Sequence, residues 1–263
     1  MLNVTLLVAL PDEYRYFKRA TGPWQIVCRR PFRKFRCSVA GKQLNLVETG
    51  MGHDRANRAL SWMIKENHPD IVCSFGFAGS INREFQVGQV TYGSGFVLSD
   101  ECNEGASKEV IRLECSAEAW LNFCLTQGLR AAQIVTEERP ESKRSLGLRF
   151  RETSSVVDME SYFIARFAQE KGIPFVCFRA ISDGLEDEIA FDLGEITTEG
   201  RVKVAKVLRL LARKPHLLPE FYALFKKSTR AARELGQVVS AFVEIPSSTM
   251  DQFISQCRLT KIK

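Results

Sequence analysis

A carboxylate and two side chains that could hold it in place lie together in "FRAISDG", residues 178–184. Arg179, Ser182 and Asp183 directly follow the apolar run "GIPFVC". A carboxylate that is partly desolvated at the end of a strand can carry a proton at neutral pH and give it to a leaving base. The Asp-Gly pair is also typical of a turn that ends a strand, and taken alone it favours that interpretation.

A second group of carboxylates lies in "SSVVDMESYF", where Asp158 and Glu160 flank Met159. One interpretation is that both are ordinary charges at the start of a helix. The other is that Glu160 accepts two hydrogen bonds from a vicinal diol, as on a ribose, while the Met159 thioether packs on the sugar face. The two interpretations are compatible, so the segment is a candidate sugar-binding site.

Asp12 and Glu13 follow the first apolar run of the chain, "NVTLLVAL". A carboxylate here could act as general base on a water molecule. It could instead charge the first turn of a following helix, and position alone favours that role.

A glycine turn follows a later apolar run, in "ETGMGHDRANRAL". Gly50 and Gly52 allow a tight turn whose backbone N–H groups can face an anion, with Arg55 a turn further along. A turn that only lets a helix pack on a strand fits about as well. The third glycine of a dinucleotide-binding fingerprint is missing, which disfavours a Rossmann-type site. We therefore treat Gly52 and Arg55 as candidate phosphate-binding residues.

Small residues dominate the segment "SFGFAGSINREF", which contains Gly76, Gly79 and Ser80. A strand end of this kind lets a flat ligand lie against the backbone, and it also suits close packing against another element. We expect Phe77, Ala78 and Gly79 to contact the substrate.

Apolar runs and helical patterns alternate along the chain, and these elements must position the candidate residues. The runs "NVTLLVAL", "LNLVETG", "DIVCSFGFAG" and "PFVCFRAIS" are typical of strands buried on both faces of a mostly parallel sheet. Helical periodicity covers residues 53–68 and 158–172. The alternation predicts a three-layer α/β fold with helices on both faces, and such folds bind ligands at the carboxyl ends of the strands. Two polar stretches, 99–114 and 136–155, are predicted as surface loops.

The composition is that of an ordinary globular protein, with 263 residues, of which 45% are hydrophobic and 26% charged. The eight cysteines include no C-x-x-C pair and there are three histidines, so we predict reduced thiols, a cytoplasmic location and no metal. The N-terminal apolar run is too short to span a bilayer, which favours a strand over a signal. The net charge of +6 suits an acidic ligand, but basic residues are spread along the chain, which disfavours nucleic acid as a partner.

The order of these motifs is similar to that of the purine nucleoside phosphorylase and methylthioadenosine/S-adenosylhomocysteine nucleosidase superfamily. The similarity runs from residue 3 to about residue 190, and D-M-E followed by R-A-I-S-D is its most specific part. It implies that Glu160 binds the ribose hydroxyls and that Met159 lies beneath the sugar. It also implies that Asp183 protonates purine N7.

Three further roles follow from the same resemblance. Ser182 would help to position the acid, Arg179 would lie near the nucleophile, and Glu13 would activate water. The chain departs from the family pattern at Val8, where a glycine is frequent, and at Phe77, where many members carry serine. Both phosphate and water therefore stay open as nucleophiles. The stretch 136–155 should contact the purine, although it does not match the usual base-binding segment closely.

The C-terminal region, residues 196–263, is predicted as a helical extension beside an α/β domain of residues 1–195, with two helices broken near Pro215 and Pro219. Together with "DMES", it resembles the hopanoid-associated branch of the superfamily, whose members remove adenine from adenosylhopane. A basic amphipathic helix here could lie on an anionic membrane, peripheral to the inner membrane. Its apolar residues could instead pack on the domain or on a second subunit, since the superfamily commonly forms oligomers.

We therefore predict an enzyme that cleaves the N-glycosidic bond of a purine nucleoside, in particular a 5′-substituted adenosine such as adenosylhopane. Phosphorolysis and hydrolysis are both open, and no organic cofactor is expected. The alternatives are a methylthioadenosine/S-adenosylhomocysteine-type nucleosidase and a non-catalytic nucleotide-binding module. A binding module would not need both Glu160 and Asp183.

Overall fold

The computed structural model describes residues 1–66, 68–99, 109–139, 141–187, 197–198, 201–202 and 204–262. Residues 100–108, the centre of the first predicted polar loop, lie outside this part of the chain. The predicted domain boundary at 195/196 also lies outside it.

The described strands form one large mixed sheet and one short hairpin. They are β1 (Asn3–Val8), β2 (Gln25–Cys28), β3 (Arg33–Val39), β4 (Lys42–Glu48), β5 (Ile71–Ser80), β6 (Val90–Leu98), β7 (Val110–Cys115), β8 (Arg130–Thr136), β9 (Ser155–Asp158), β10 (Phe175–Asp183), β11 (Thr197–Thr198), β12 (Arg201–Val202) and β13 (Cys257–Ile262). Only β11 and β12 lie outside the large sheet, where they pair with each other.

The described helices surround this sheet. They are α1 (Pro11–Thr21), α2 (His53–Glu66), α3 (Glu118–Thr126), α4 (Lys143–Arg149), α5 (Ser161–Glu170), α6 (Val204–Arg213), α7 (Leu218–Glu244) and α8 (Ser247–Gln256). A 3-10 turn, Pro215–Leu217, joins α6 to α7.

The interior of the sheet is parallel, in the order β4, β1, β5, β10. Strand β10 also pairs antiparallel with β6, and the path β6, β8, β9 returns to β5, so these five strands close into a ring. Further antiparallel pairs add β3 and β2 at one margin and β7 and β13 at the other. The carboxyl ends of β1, β4, β5 and β10 therefore meet at one edge of the sheet.

Apolar side chains alternate between the two faces of the central strands, and helices cover both faces. On β1, Leu6 belongs to the core formed with α1, α3, α7 and α8, whereas Leu7 belongs to the core formed with α2 and α5. On β10, Val176 and Cys177 repeat this division. The predicted three-layer α/β fold is confirmed.

The two predicted helices are present, with one different boundary. The helix predicted over 53–68 spans His53–Glu66. The helix predicted from residue 158 begins only at Ser161. The reason is that Asp158 still belongs to β9, where it pairs with Thr136, and its carboxylate accepts the backbone N–H of Ser161.

The prediction of plain loops over 99–114 and 136–155 was wrong in part. The first stretch contains most of β7, an edge-side strand whose polar residues face solvent while Ile111 is buried. The second contains α4, a helix of seven residues, and the start of β9 at Ser155. Both elements are polar because each packs on the protein through only one side, which hides their periodicity.

The C-terminal helices break at Pro215, as predicted, and Pro219 lies in the first turn of α7. Helix α7 packs on α1 and β10, and its Phe242 is fully buried. The sequence analysis missed α8 and β13, whose residues Cys257 to Ile262 pair with β7. In the described part of the chain, no helix combines the length and apolar character needed to cross a membrane.

Candidate active site

A small cavity of about 20 Å³ lies where β1, β5 and β10 end near the start of α1. It contains two carboxylates and one guanidinium group. The described residues that line it are Leu7, Val8, Ala9, Glu13, Thr49, Ser74, Phe75, Gly76, Phe77, Glu160, Ile164 and Arg179.

Glu13 reaches the cavity from the first turn of α1. Its Oε2 accepts the N–H of Leu10 at 2.7 Å, and its Oε1 accepts the N–H of Phe77 at 2.9 Å. Burial raises the pKa of Glu13, although these two hydrogen bonds and the charge of Arg179 oppose the shift. A Cβ on Gly76 would lie 2.7 Å from Oε1, so a glycine is needed for this approach. The carboxylate contacts the start of the helix and also lines the cavity, so its position is compatible with both roles considered for it.

Arg179 is 3% exposed, and three side chains bind its guanidinium group. Its Nε donates to Asp158 Oδ2 at 2.9 Å, and its Nη2 donates to Ser74 Oγ at 3.0 Å and Ser161 Oγ at 2.7 Å. Asp158 also accepts the hydroxyl of Thr136 at 2.7 Å. Nη1 also donates to the carbonyl of Phe178 at 3.1 Å, so four of the five N–H donors of the guanidinium group have partners. Such extensive hydrogen bonding is the condition under which a buried charge pair can be stable.

Glu160 lies between β9 and α5 and binds the predicted glycine turn. Its Oε1 accepts the N–H of Gly52 at 2.7 Å, and Gly52 has a φ of +97°, which favours glycine. Burial and then the charge of Asp158 raise the pKa of Glu160 to about 7. The anion that this turn holds in the structure is therefore the Glu160 carboxylate.

Glu13, Asp158, Glu160 and Arg179 together form what we call the inner cluster. The charges of Glu13, Asp158 and Arg179 all act on the pKa of Glu160, which indicates that the four groups share one buried environment. Within the described residues, no group of three or more His, Cys, Asp or Glu is arranged to hold a metal ion. The inner cluster is better suited to move a proton on water and to bind hydroxyl groups.

Asp183 lies at the end of β10 beside Gly79, four residues beyond Arg179 on the same strand. Its Oδ1 accepts the hydroxyl of Ser182 at 2.5 Å. Its Oδ2 forms an ion pair with Nζ of Lys143, the first residue of α4. The side chains of Asp183 and Lys143 are each 14% exposed. We call Lys143, Ser182 and Asp183 the outer cluster.

Arg55, the other candidate for a phosphate site, is turned towards its own loop. Its Nε donates to the carbonyl of Thr49 at 2.8 Å. A Cβ on Gly50 would lie 2.5 Å from that nitrogen, and the φ of Gly50 is +81°. Gly52 and Arg55, the two residues predicted to donate hydrogen bonds to phosphate, thus both have partners within the protein.

The residues predicted to contact the substrate lie next to the inner cluster or next to the outer cluster. Phe77 lines the cavity, and Met159, half-buried, directly precedes Glu160. Ala78 and Gly79 lie opposite Ile181 and Asp183 in the register of β5 and β10. These contacts therefore come from three separate segments, residues 77–79, 159–160 and 181–183, at the same edge of the sheet.

Sequence reasoning missed two partners of these groups. It treated Asp158 as a helix charge, whereas the carboxylate anchors Arg179. It gave no role to Lys143, which lies in the stretch 136–155 where no close match to a base-binding segment was found. A signal for Asp158 was available, since a strand-end carboxylate and a buried arginine need each other. No local pattern points to Lys143, because α4 and β10 meet only in the folded chain.

Comparison with known proteins gives the family of this chain. The sequence pattern of the Phosphorylase superfamily matches residues 3–213, which include every member of both clusters. The chain belongs to the Phosphorylase superfamily. This membership confirms the prediction that the protein is an enzyme, and it confirms the predicted resemblance at the level of the superfamily.

Curated members of this superfamily resemble the chain at modest identity. It is 25% identical over 232 residues to the 5′-methylthioadenosine/S-adenosylhomocysteine nucleosidase of Bacillus cytotoxicus, which covers 80% of this chain and 100% of that protein. It is 24% identical over 192 residues to the nucleosidase of the same name from Shewanella halifaxensis, covering 66% and 83% of the two chains.

Solved structures of the superfamily share the fold. The 5′-methylthioadenosine/S-adenosylhomocysteine nucleosidase of Campylobacter jejuni matches with a TM-score of 0.68 and 16% identity over 93% of this chain and 99% of that one. The futalosine hydrolase of Helicobacter pylori matches with a TM-score of 0.69 and 16% identity over 95% and 98%. These matches extend the common fold almost to both ends of the chain.

Proposed function

We propose that this protein cleaves the N-glycosidic bond of a purine nucleoside, a 5′-substituted adenosine, and releases adenine. The observation that carries the proposal is the geometry of β10. One strand bears Arg179 inside the cavity with Glu13 and Glu160, and four residues later it bears Asp183 at the sheet edge. Breaking a glycosidic bond requires groups of this kind at the sugar and at the leaving base.

In this proposal Asp183 is the general acid. The bond between C1′ and N9 breaks with its electron pair moving to the purine, and a proton from Asp183 to N7 neutralises that charge. Ser182, whose hydroxyl donates to Asp183 Oδ1, orients the carboxyl group. General acid catalysis of this type contributes about 10²–10⁴-fold to the rate.

Glu160 is proposed to bind the 2′- and 3′-hydroxyls of the ribose. One of its oxygens accepts the N–H of Gly52, and a carboxylate has further lone pairs for hydroxyl donors. Its negative charge would also stabilise the positive charge that develops on the sugar. Met159 is proposed to pack under the sugar face, with Phe77, Ala78 and Gly79 as further substrate contacts.

We propose water as the nucleophile and Glu13 as the base that activates it. Gly52 and Arg55, the candidate residues for binding phosphate, already have partners within the protein. The inner cluster also contains three carboxylates. A phosphate dianion would be repelled by these carboxylates, whereas water is not. Burial raises the pKa of Glu13, which makes it a stronger base once ionised. Arg179 would orient the water from the other side of the cavity.

A more specific proposal concerns the 5′ substituent: we propose that the substrate is adenosylhopane, an adenosine with a lipid tail at this position. Leu218, Tyr222 and Phe225 of α7 are 53%, 70% and 63% exposed, and their spacing places them on one face of the helix. Lys226 and Arg230 are exposed next to them. Such a face would suit an anionic membrane surface and a lipid-tailed nucleoside. Pairing with a second copy of the chain is the other proposed use of this face.

The test is adenine release, measured by chromatography, from adenosine, methylthioadenosine, S-adenosylhomocysteine and a long-chain 5′-alkyl adenosine, each with and without phosphate. We expect release that does not depend on phosphate and that is fastest with the long-chain substrate. Faster release from methylthioadenosine would favour the alternative nucleosidase, and phosphate dependence would contradict water as nucleophile. No release from any nucleoside would contradict the proposed function.

A further inference from the structure

Lys143 is half-buried, and every N–H of its ammonium group has an acceptor within the protein. Besides the ion pair with Asp183 Oδ2, its Nζ donates to the carbonyl of Gly184 at 2.8 Å and to that of Asp187 at 3.0 Å. An ammonium group has three N–H donors, so all three are accounted for. The side chain is therefore held in one orientation, pointed at the carboxylate of the proposed acid.

The surrounding backbone is shaped around this pair. A Cβ on Gly79 would lie 2.9 Å from Asp183 Oδ2 and 3.1 Å from Cε of Lys143. Any larger residue at position 79 would push the two groups apart. Ser182 binds the other oxygen of the carboxylate, so both oxygens of Asp183 have a fixed partner.

We propose that Lys143 is a positioning residue for this reaction, which stabilises the negative charge that develops on Asp183 as its proton moves to the purine. The inference rests on the proposed function. Before the transfer Asp183 carries the proton, and after it Asp183 is the carboxylate that Lys143 binds in this structure. A preorganised cation next to a developing anion lowers the barrier without reorganisation.

Protons and electron pairs balance in this step. The O–H bond of Asp183 breaks and an N7–H bond forms, while the electron pair of the C1′–N9 bond goes to the purine. Water forms the new bond to C1′ and gives its proton to Glu13. Glu13 then returns a proton to solvent and Asp183 takes one from it, so Lys143 keeps its charge throughout.

The test compares Lys143→Met and Lys143→Arg with the wild type on two substrates. One is the purine nucleoside that the wild type cleaves best, and the other is p-nitrophenyl riboside, whose leaving group departs without protonation. We expect Lys143→Met to lower kcat for the purine nucleoside about 10–100-fold with KM nearly unchanged, in the range of one lost catalytic charge. The nitrophenyl substrate should lose less than about 2-fold. Lys143→Arg should keep part of the purine activity, since it keeps the positive charge although its planar guanidinium cannot reproduce all three hydrogen bonds of the ammonium group.

Lys227→Met is the matched control. Lys227 donates to Asp187 Oδ1 at 2.6 Å and so holds the same loop without contacting Asp183. We expect its turnover to stay within about 2-fold of the wild type. In the Asp183→Asn background, Lys143→Met should have no further effect on the purine nucleoside, since the two changes remove one interaction.

The outcomes separate this inference from the function on which it depends. A wild type that releases no base contradicts the proposed function, and the inference falls with it. An active wild type with an equally active Lys143→Met variant overturns the inference alone. Equal losses on both substrates, or a loss as large in Lys227→Met, would show that Lys143 only supports the fold and would also overturn it.

Discussion

The inner and outer clusters hold carboxylates at two ends of the same sheet edge, but by different means. In the inner cluster, backbone N–H groups of Leu10, Phe77 and Gly52 bind Glu13 and Glu160, the two carboxylates that line the cavity. In the outer cluster, two side chains, Ser182 and Lys143, bind Asp183. A backbone N–H is kept by every substitution except proline, whereas a side-chain donor is lost with its residue.

This difference suggests a division of labour in the proposed reaction. The inner carboxylates must keep a fixed position relative to the sugar of any substrate. Hydrogen bonds to backbone groups at strand ends and glycine turns provide such a position. The outer carboxylate must match the leaving base, and its partners can vary without disturbing the sheet. Variants in the two clusters should therefore respond differently to the leaving group.

Asp183→Asn should have the largest effect on activity. We expect the variant to fold normally and to lose about 10²–10⁴-fold in kcat for purine nucleosides, because the proton donor is gone. With p-nitrophenyl riboside the loss should be small. Steady-state kinetics on both substrates checks this. Wild-type turnover of the purine nucleoside would remove the general-acid assignment.

Glu13→Gln should have the next largest effect, and it should not depend on the leaving group. Water activation is needed for both substrates, so we expect a loss of about 10²-fold in kcat on each. The comparison of the two losses measures the division between the clusters directly. A loss confined to the purine nucleoside would indicate that Glu13 acts on the leaving purine, and it would contradict the proposed role of Glu13 in activating water.

Gly76→Ala should have a smaller effect of the same kind. The added Cβ would lie 2.7 Å from Glu13 Oε1, so the carboxylate must move. We expect roughly a 10-fold loss of kcat on both substrates, since a displacement of about 1 Å is costly in catalysis. Gly95→Ala is the matched control, because its Cβ would meet its nearest neighbour at an ordinary 3.6 Å. Equal activity of the two variants would contradict the requirement for glycine at position 76.

Sequence reasoning located three of the candidate carboxylates better than the partners that hold them, and the reason is physical. Strand-end residues such as Glu13, Glu160 and Asp183 follow apolar runs whose burial on both faces is visible in the sequence. The partners of these residues come from other segments. Lys143 reaches Asp183 across 40 residues of chain, and no local periodicity encodes that contact.

The same limit explains the errors in the fold. Strand β7 and helix α4 each bury few side chains, so their sequences look like loops. Strand β13 follows α8 with the polar sequence "CRLTKI", and its conformation depends on pairing with β7. Edge strands of this type are specified by their neighbours more than by their own propensity.

Glu160→Gln should have the smallest effect of these substitutions. It tests the electrostatic state of the inner cluster through protein stability, without measuring activity. Its pKa is raised from 4.5 to about 7, mainly by burial, so the folded protein favours the protonated form. The stabilisation is complete below pH 4.5 and is lost as the pH rises through about 7. In Glu160→Gln this loss is absent, so the free energy of unfolding of the variant relative to the wild type should increase by on the order of 1 kcal/mol between pH 5 and pH 8. Urea unfolding at the two pH values measures the difference, and a difference that does not change with pH would mean that Glu160 is ionised in the folded protein throughout this range.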